Sequence, residues 1–261
     1  MWERFKPKEN VWYRWRLNGA EAYLRKNCEI WQTAFTPIPL ADLTDDFGGP
    51  DEGADPPADA ALSTAWSAGD EASLHPCLSP QPYLLTVREK ARVLPGMGTG
   101  FRADLPPLLK FELASDEVLS EAMPFIVPQT WFGQDTMTGE FGHSLLGRLS
   151  PHQEKPEEYP ATLIRCEIYI KNNAKTAFDL DNFAVYPEPL SVYRYKDRLI
   201  SDTLELEFLG VSEFAGTMEK VTVNEIEGAE YTRISLGTKT GVGETIARRS
   251  VDIIKNITRF Y

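Results

Sequence analysis

The string Thr130-Trp-Phe-Gly-Gln-Asp-Thr-Met-Thr-Gly-Glu-Phe-Gly-His143 gathers an indole, two carboxylates and an imidazole in one short stretch. Asp135 and Glu140 are residue types that act as an acid/base pair, Trp131 offers a flat ring for a sugar or a base, and His143 closes the string. These four residues define one reading, a carbohydrate-binding or hydrolytic site. The same string also reads as a plain hairpin, with a strand ending at Phe132-Gly133, a polar loop, and a return from Gly139-Glu140. Its glycines permit a tight turn and its aromatics feed a core. Because turn loops are routinely polar, the hairpin reading is preferred.

Other chemistry-bearing residues are weaker. GTKTGVGE after Leu236 sets three glycines and Lys239 before a helical pattern, which suits an anion. It lacks the GxxxxGK[ST] spacing, and Glu244 in the first turn would compete with an anion while satisfying the helix dipole. PGMGTGF, from Pro95 to Phe101, is followed by Pro106-Pro107 and no helix, so it reads as a bulged turn rather than a dinucleotide fingerprint. His75, His143 and His152 are not at metal-ligand spacings, and there is no CxxC, HExxH or GxSxG. No metal and no cofactor is expected. Cys28, Cys77 and Cys166 are three and widely separated, which argues against a disulfide framework, and Cys166 reads as a small core residue.

The elements that would position these groups are strands. Ile164, Cys166, Ile168 and Ile170 alternate with Arg165, Glu167, Tyr169 and Lys171. Asn172-Asn173 supplies a turn, and Phe178 to Val185 carries a second extended segment towards Pro187. This period-two pattern predicts a half-buried antiparallel strand pair over 161–187. At the amino end, Val11–Leu17, the Asn18-Gly19 turn signal, Ala22–Leu24 and Cys28–Phe35 predict three strands. Their aromatics (Trp12, Tyr13, Trp15, Tyr23, Trp31) would form a binding face if exposed, but such rings more often fill the space between sheets. Turn signals recur along the rest of the chain at the spacing of sandwiches and barrels.

Two segments depart from that pattern. Between Leu40 and Leu74 lie nine acids and no lysine or arginine, so this stretch carries −9 of the formal −12 and leaves −3 for the rest. A near-neutral body does not support nucleic-acid binding, which needs a basic face. The Gly, Ala, Asp and Pro content of this stretch predicts a flexible acidic insertion at 41–78, with a short helical turn at Leu62–Trp66. From Gly243 to Tyr261 the spacing is helical, and Ile246, Ile253, Ile257 and Phe260 share an apolar face. That face would anchor in a partner groove or cover its own domain, and its basic flank allows a membrane-surface variant.

TWFG, the GE after it, RCEIYIKNN and the tail YP-EPL-SVY-LISDTLELEFLG, within Pro124–Gly210, resemble a prokaryotic family catalogued as domain of unknown function number four-three-two. The acidic insertion and the terminal helix lie outside the matched motifs. The resemblance implies a compact β-rich protein and, through an association with mechanosensitive-type channels, a membrane-channel partner. It carries no catalytic residues.

The expectation is therefore all-β. It comprises one antiparallel two-sheet sandwich domain over 1–240, interrupted at 41–78, and a carboxy-terminal amphipathic helix over 241–261. The expected function is a non-enzymatic interaction module that contacts a protein partner or a second copy of itself. No apolar h-region follows Met1 and no apolar run reaches bilayer length, so a cytoplasmic protein that is not itself transmembrane is expected.

Overall fold

The computed structural model describes residues 2–17, 20–38, 48–122, 130–132, 140–151, 162–185, 187, 190–195, 198–210, 213–219 and 231–237; at 84, 86–90, 130–132, 140–151, 181–184 and 213–219 it describes the backbone alone. The described chain is all-β, with no helix. Residues 241–261, including Ile246, Ile253, Ile257 and Phe260, lie outside the described residues. Where one interrupted domain was expected, the chain divides into two compact units. The first is Met1–Cys77, Pro106–Ile126 and Pro160–Thr162; the second is Leu78–Leu105, Val127–Tyr159 and Leu163–Tyr261.

The first unit holds a five-stranded antiparallel sheet built from β1 (Trp12–Leu17), β2 (Ala20–Asn27), β3 (Ile30–Pro37), β4 (Gly48–Glu52) and β5 (Leu62–Trp66), in the order β4-β1-β2-β3-β5. A three-stranded antiparallel sheet, β10-β9-β6, comprises β6 (Ala72–Cys77), β9 (Leu108–Leu113) and β10 (Val118–Ala122). Alternation decides what each face does. Tyr13, Trp15 and Leu17 of β1 are buried while Arg14 and Arg16 are only partly so. The Trp15 and Phe111 rings meet edge to face at 5.2 Å, Phe35 packs on Phe111 at 5.3 Å, and Thr33 Oγ1 donates to Ser120 Oγ at 2.6 Å. The two sheets of this unit thus face one another over an aromatic core. The amino-terminal aromatics are core residues, as the sequence favoured: all five are under 9% exposed.

The expected flexible insertion is largely built into this unit. Residues 48–77 supply β4, β5 and β6, and Leu62–Trp66 is a strand rather than a helical turn. The composition is indeed poor in apolar residues. However, β4 pairs along β1, β5 along β3 and β6 along β9, so each strand borrows a formed ladder and needs little core of its own. Ala60 packs against Trp12, Tyr23 and Ala34, covering the outer side of the larger sheet.

The second unit contains one mixed sheet. Its path β14-β7-β12-β8-β13-β16-β15-β19 uses β7 (Tyr83–Val93), β8 (Gly98–Leu105), β12 (Glu140–Pro151), β13 (Ile164–Asn172), β14 (Phe178–Val185), β15 (Val192–Tyr195), β16 (Arg198–Ser201) and β19 (Tyr231–Ser235). Off that path, β11 (Thr130–Phe132) pairs with β12, while β17 (Thr203–Gly210) pairs with β13 and with β18 (Glu213–Glu219). Most pairings are antiparallel, and β12–β7, β13–β16 and β13–β17 are parallel.

The predicted alternation in β13 holds, with Ile164, Cys166, Ile168 and Ile170 at most 1% exposed. The predicted pairing does not. β13 pairs with β8, β16 and β17, and β14 pairs with β7. Asn172 explains the departure. Its fully buried amide donates to the carbonyls of Val93 and Thr176, each at 2.9 Å, and accepts from the Ala174 amide at 3.0 Å. Its backbone bonds Gly96 and Met97, each at 2.8 Å. The turn is therefore fastened to the end of β7, and the chain leaves it beside β7 rather than folding back on β13.

Candidate functional site

The predicted Trp131–His143 site is a hairpin in its backbone. β11 and β12 pair antiparallel, with Trp131 opposite Phe141 and Phe132 opposite Glu140. Trp131 and Glu140 thus occupy register positions of opposite parity. His143 lies in the parallel ladder opposite Tyr83 of β7. Asp135 lies outside the described residues, with the rest of 133–139.

Two clusters of buried polar groups stand away from the predicted site. In β6, Ser73 and His75 share a face at i, i+2, and Ser73 Oγ lies 2.6 Å from His75 Nε2. Ser73 is fully buried and His75 Nδ1 is enclosed without a partner among the described residues, so burial holds the imidazole below its ordinary pKa. Cys77 follows on the same face with its thiol pushed up to about 12 by burial, and Cys166 in the second unit is pushed up to about 12 for the same reason. Neither thiol is a nucleophile at neutral pH.

In the second unit, the buried Asp202 carboxylate accepts the Ser191 amide at 2.8 Å and the Tyr193 hydroxyl at 2.9 Å. Burial, reinforced by that bond, raises the Tyr193 phenol. The Asp202 node ties β15 to the start of β17, and Asn172 ties the end of β7 to two turns in the same way. Both act as fasteners. Among the described residues no three His, Cys, Asp or Glu side chains stand close enough to hold a metal.

The most unusual surface is a sheet edge. The first unit's larger sheet ends in β4 on one side and β5 on the other. β4 reads GGPDE. It carries Pro50, Asp51 and Glu52, its register against β1 is irregular, and Asp51 Oδ2 pairs with Arg16 at 3.0 Å and Arg14 at 3.6 Å. Gly49 has φ +129°, and a Cβ there would stand 2.7 Å from the Arg14 carbonyl oxygen, so only glycine lets β4 approach β1 at this point. β5 reads LSTAW and sits in an uncharged run, Ala60–Gly69, between Asp59 and Asp70. Leu62 is 50% and Trp66 73% exposed.

The hydrogen-bond register of β5 follows from one contact. The Ser67 amide donates to the Glu29 carbonyl at 2.9 Å, one step beyond the Trp66–Ile30 position of the β3–β5 ladder. Hydrogen-bonded pairs alternate along an antiparallel ladder. Ala65–Trp31 and Ser63–Thr33 are then the bonded pairs, and the amides and carbonyls of Leu62, Thr64 and Trp66 point away from β3. That outward row is a template for a further strand. The signal was present in the sequence as an uncharged stretch inside the acidic run, but only the β3–β5 register turns it into an edge.

No curated protein and no solved structure matches this chain. A family model described as "Protein of unknown function (DUF432)" matches residues 1–251 and so spans both units, the acidic run and the greater part of the terminal segment. The chain belongs to that family.

Proposed function

We propose that the protein is a non-enzymatic β-sandwich interaction module, which takes up an extended protein strand along the edge of β5 that no described strand covers. The observation that carries this reading is the outward row at Leu62, Thr64 and Trp66, on a strand without charge, proline or bulge. Such edges are normally blunted because they recruit other chains. Strand addition draws affinity from main-chain bonds and selectivity from alternate side chains, here Leu62, Thr64 and Trp66 on one face. The buried thiols with pKa values of about 12 and the fastened Asp202 suit a scaffold better than a reaction centre.

The test is residue-resolved NMR of the full chain with an acetylated, amidated Thr-Val-Thr-Val-Thr peptide as probe. Shift changes and amide protection at Leu62, Thr64 and Trp66, abolished by Thr64→Lys, are the expected result. Saturating millimolar peptide with no response along β5, or with an equal response along β4, would overturn the reading.

A further inference from the structure

Resting on the edge reading above, we propose that the strand β5 receives is β5 of a second copy of this chain, antiparallel and centred on Thr64. Three features select this occupant. The first is hydrogen-bond parity. Only Leu62, Thr64 and Trp66 point outward, so a second β5 must place these residues opposite one another. Pairing Thr64 with Thr64 engages all three from each copy and forms about six backbone bonds; a shift of two residues in either direction loses part of the row.

The second feature is side-chain self-complementarity. In the Thr64-centred register Leu62 of each copy lies opposite Trp66 of the other, so the two exposed apolar side chains of the strand cover each other twice. Aromatic–aliphatic cross-strand pairs of this kind stabilise sheets. Leu62, Thr64 and Trp66 extend the face that carries Ala34 and Ile30, so the joined sheet would continue one side of the existing sheet across both copies.

The third is charge. Asp59 and Asp70 flank the uncharged run almost symmetrically. A register centred between Thr64 and Ala65 would set Asp59 directly opposite Asp70 of the other copy. Centring on Thr64 places Asp59 opposite Gly69 and Asp70 opposite Ala58, so the acids are offset. The offset charges still repel through solvent, so association strengthens as salt screens them. With only five residues per strand, the paired edge lies at the small end of stable interfaces, and the dimer depends on concentration.

The experiment combines mass and crosslinking on the full chain. Light scattering over increasing protein concentration should show the mass rise from 29.4 kDa towards twice that value, further at higher salt, and remain monomeric for Trp66→Lys. In a Cys28→Ser background, which removes the exposed native thiol, Thr64→Cys should form an oxidised dimer readily and Ser63→Cys at least tenfold less. The self-opposed Thr64 position places Cα atoms about 5.5 Å apart, within disulfide reach, whereas Ser63 meets Ala65. A monomer at all concentrations overturns the self-pairing. Equal crosslinking at positions 63 and 64 overturns the Thr64-centred register. If the Thr-Val peptide binds β5 and the chain stays monomeric, self-pairing alone has failed; if neither occurs, the edge reading has failed with it.

Discussion

β4 and β5 close the same sheet on opposite sides, and they treat their free edges in opposite ways. β4 approaches β1 through Gly49, interrupts its outer row with Pro50 and adds Asp51 and Glu52, so another strand would meet a missing donor and negative charge. β5 is paired in unbroken register along β3, is uncharged, and leaves Trp66 mostly in solvent. Both strands come from the same acidic, Gly- and Ala-rich stretch. Composition alone therefore does not decide whether an edge is closed. The placement of Pro, Gly and charge relative to the ladder decides it.

The largest expected effect removes the support beneath both edges. Phe111 is fully buried and touches Trp15 and Phe35, so Phe111→Ala should cost about 3–5 kcal/mol and lower the denaturant midpoint of the first unit. A cost below 1 kcal/mol would show that the facing sheets do not share this core. Asp51→Ala should cost less, about 0.5–1 kcal/mol, since it removes one partner of Arg14 and of Arg16 in a partly exposed setting, and Arg14 keeps Glu21. The same change takes one acid from the β4 edge. Association should nonetheless stay confined to β5 while Pro50 remains; strand addition at β4 in Asp51→Ala would show that charge rather than proline closes that edge.

Trp66→Lys should leave stability within about 0.5 kcal/mol of wild type, because the indole packs on little, while removing edge association. A large loss of stability in chemical denaturation would mean that Trp66 belongs to the core after all. The smallest expected effect comes from pH. His75 lies in the other sheet with its folded pKa lowered by burial, so the unfolded chain binds more protons as pH falls below about 6.5. The stability of the first unit should be fully present above that value and decline as pH drops through the lowered folded pKa, and His75→Gln should flatten the decline. Thermal melts between pH 7.5 and 5 read this directly; an identical slope in both proteins would remove His75 as the cause.

What the sequence made legible was local. Period-two alternation located β13 and its buried face, and the aromatics of β1 to β3 were read as core. Partner choice was not legible, because it rests on non-local bonds such as Asn172 to Val93, across 79 positions of sequence. The acidic stretch was misread for a related reason. Its strands depend on β1, β3 and β9 for their ladders, and no property of residues 48–77 alone reports those neighbours. The candidate edge was half legible: the uncharged run stood in the sequence, but which of its amides face outward required the register. Of the earlier site residues, Trp131, Glu140 and His143 fall on paired strands, whereas Asp135 and the anchors Ile246, Ile253, Ile257 and Phe260 lie outside the described residues.

The central claim is that β5 is bonded to β3 on one side and, among the described residues, open on the other. Amide hydrogen exchange resolved residue by residue along Leu62–Trp66, at a low and a high protein concentration, tests it most directly. The account predicts slow exchange at Ser63 and Ala65 at both concentrations, with fast exchange at Leu62, Thr64 and Trp66 that slows as concentration rises. Uniform protection along β5 in the dilute protein, or an alternation of the opposite phase, would contradict it.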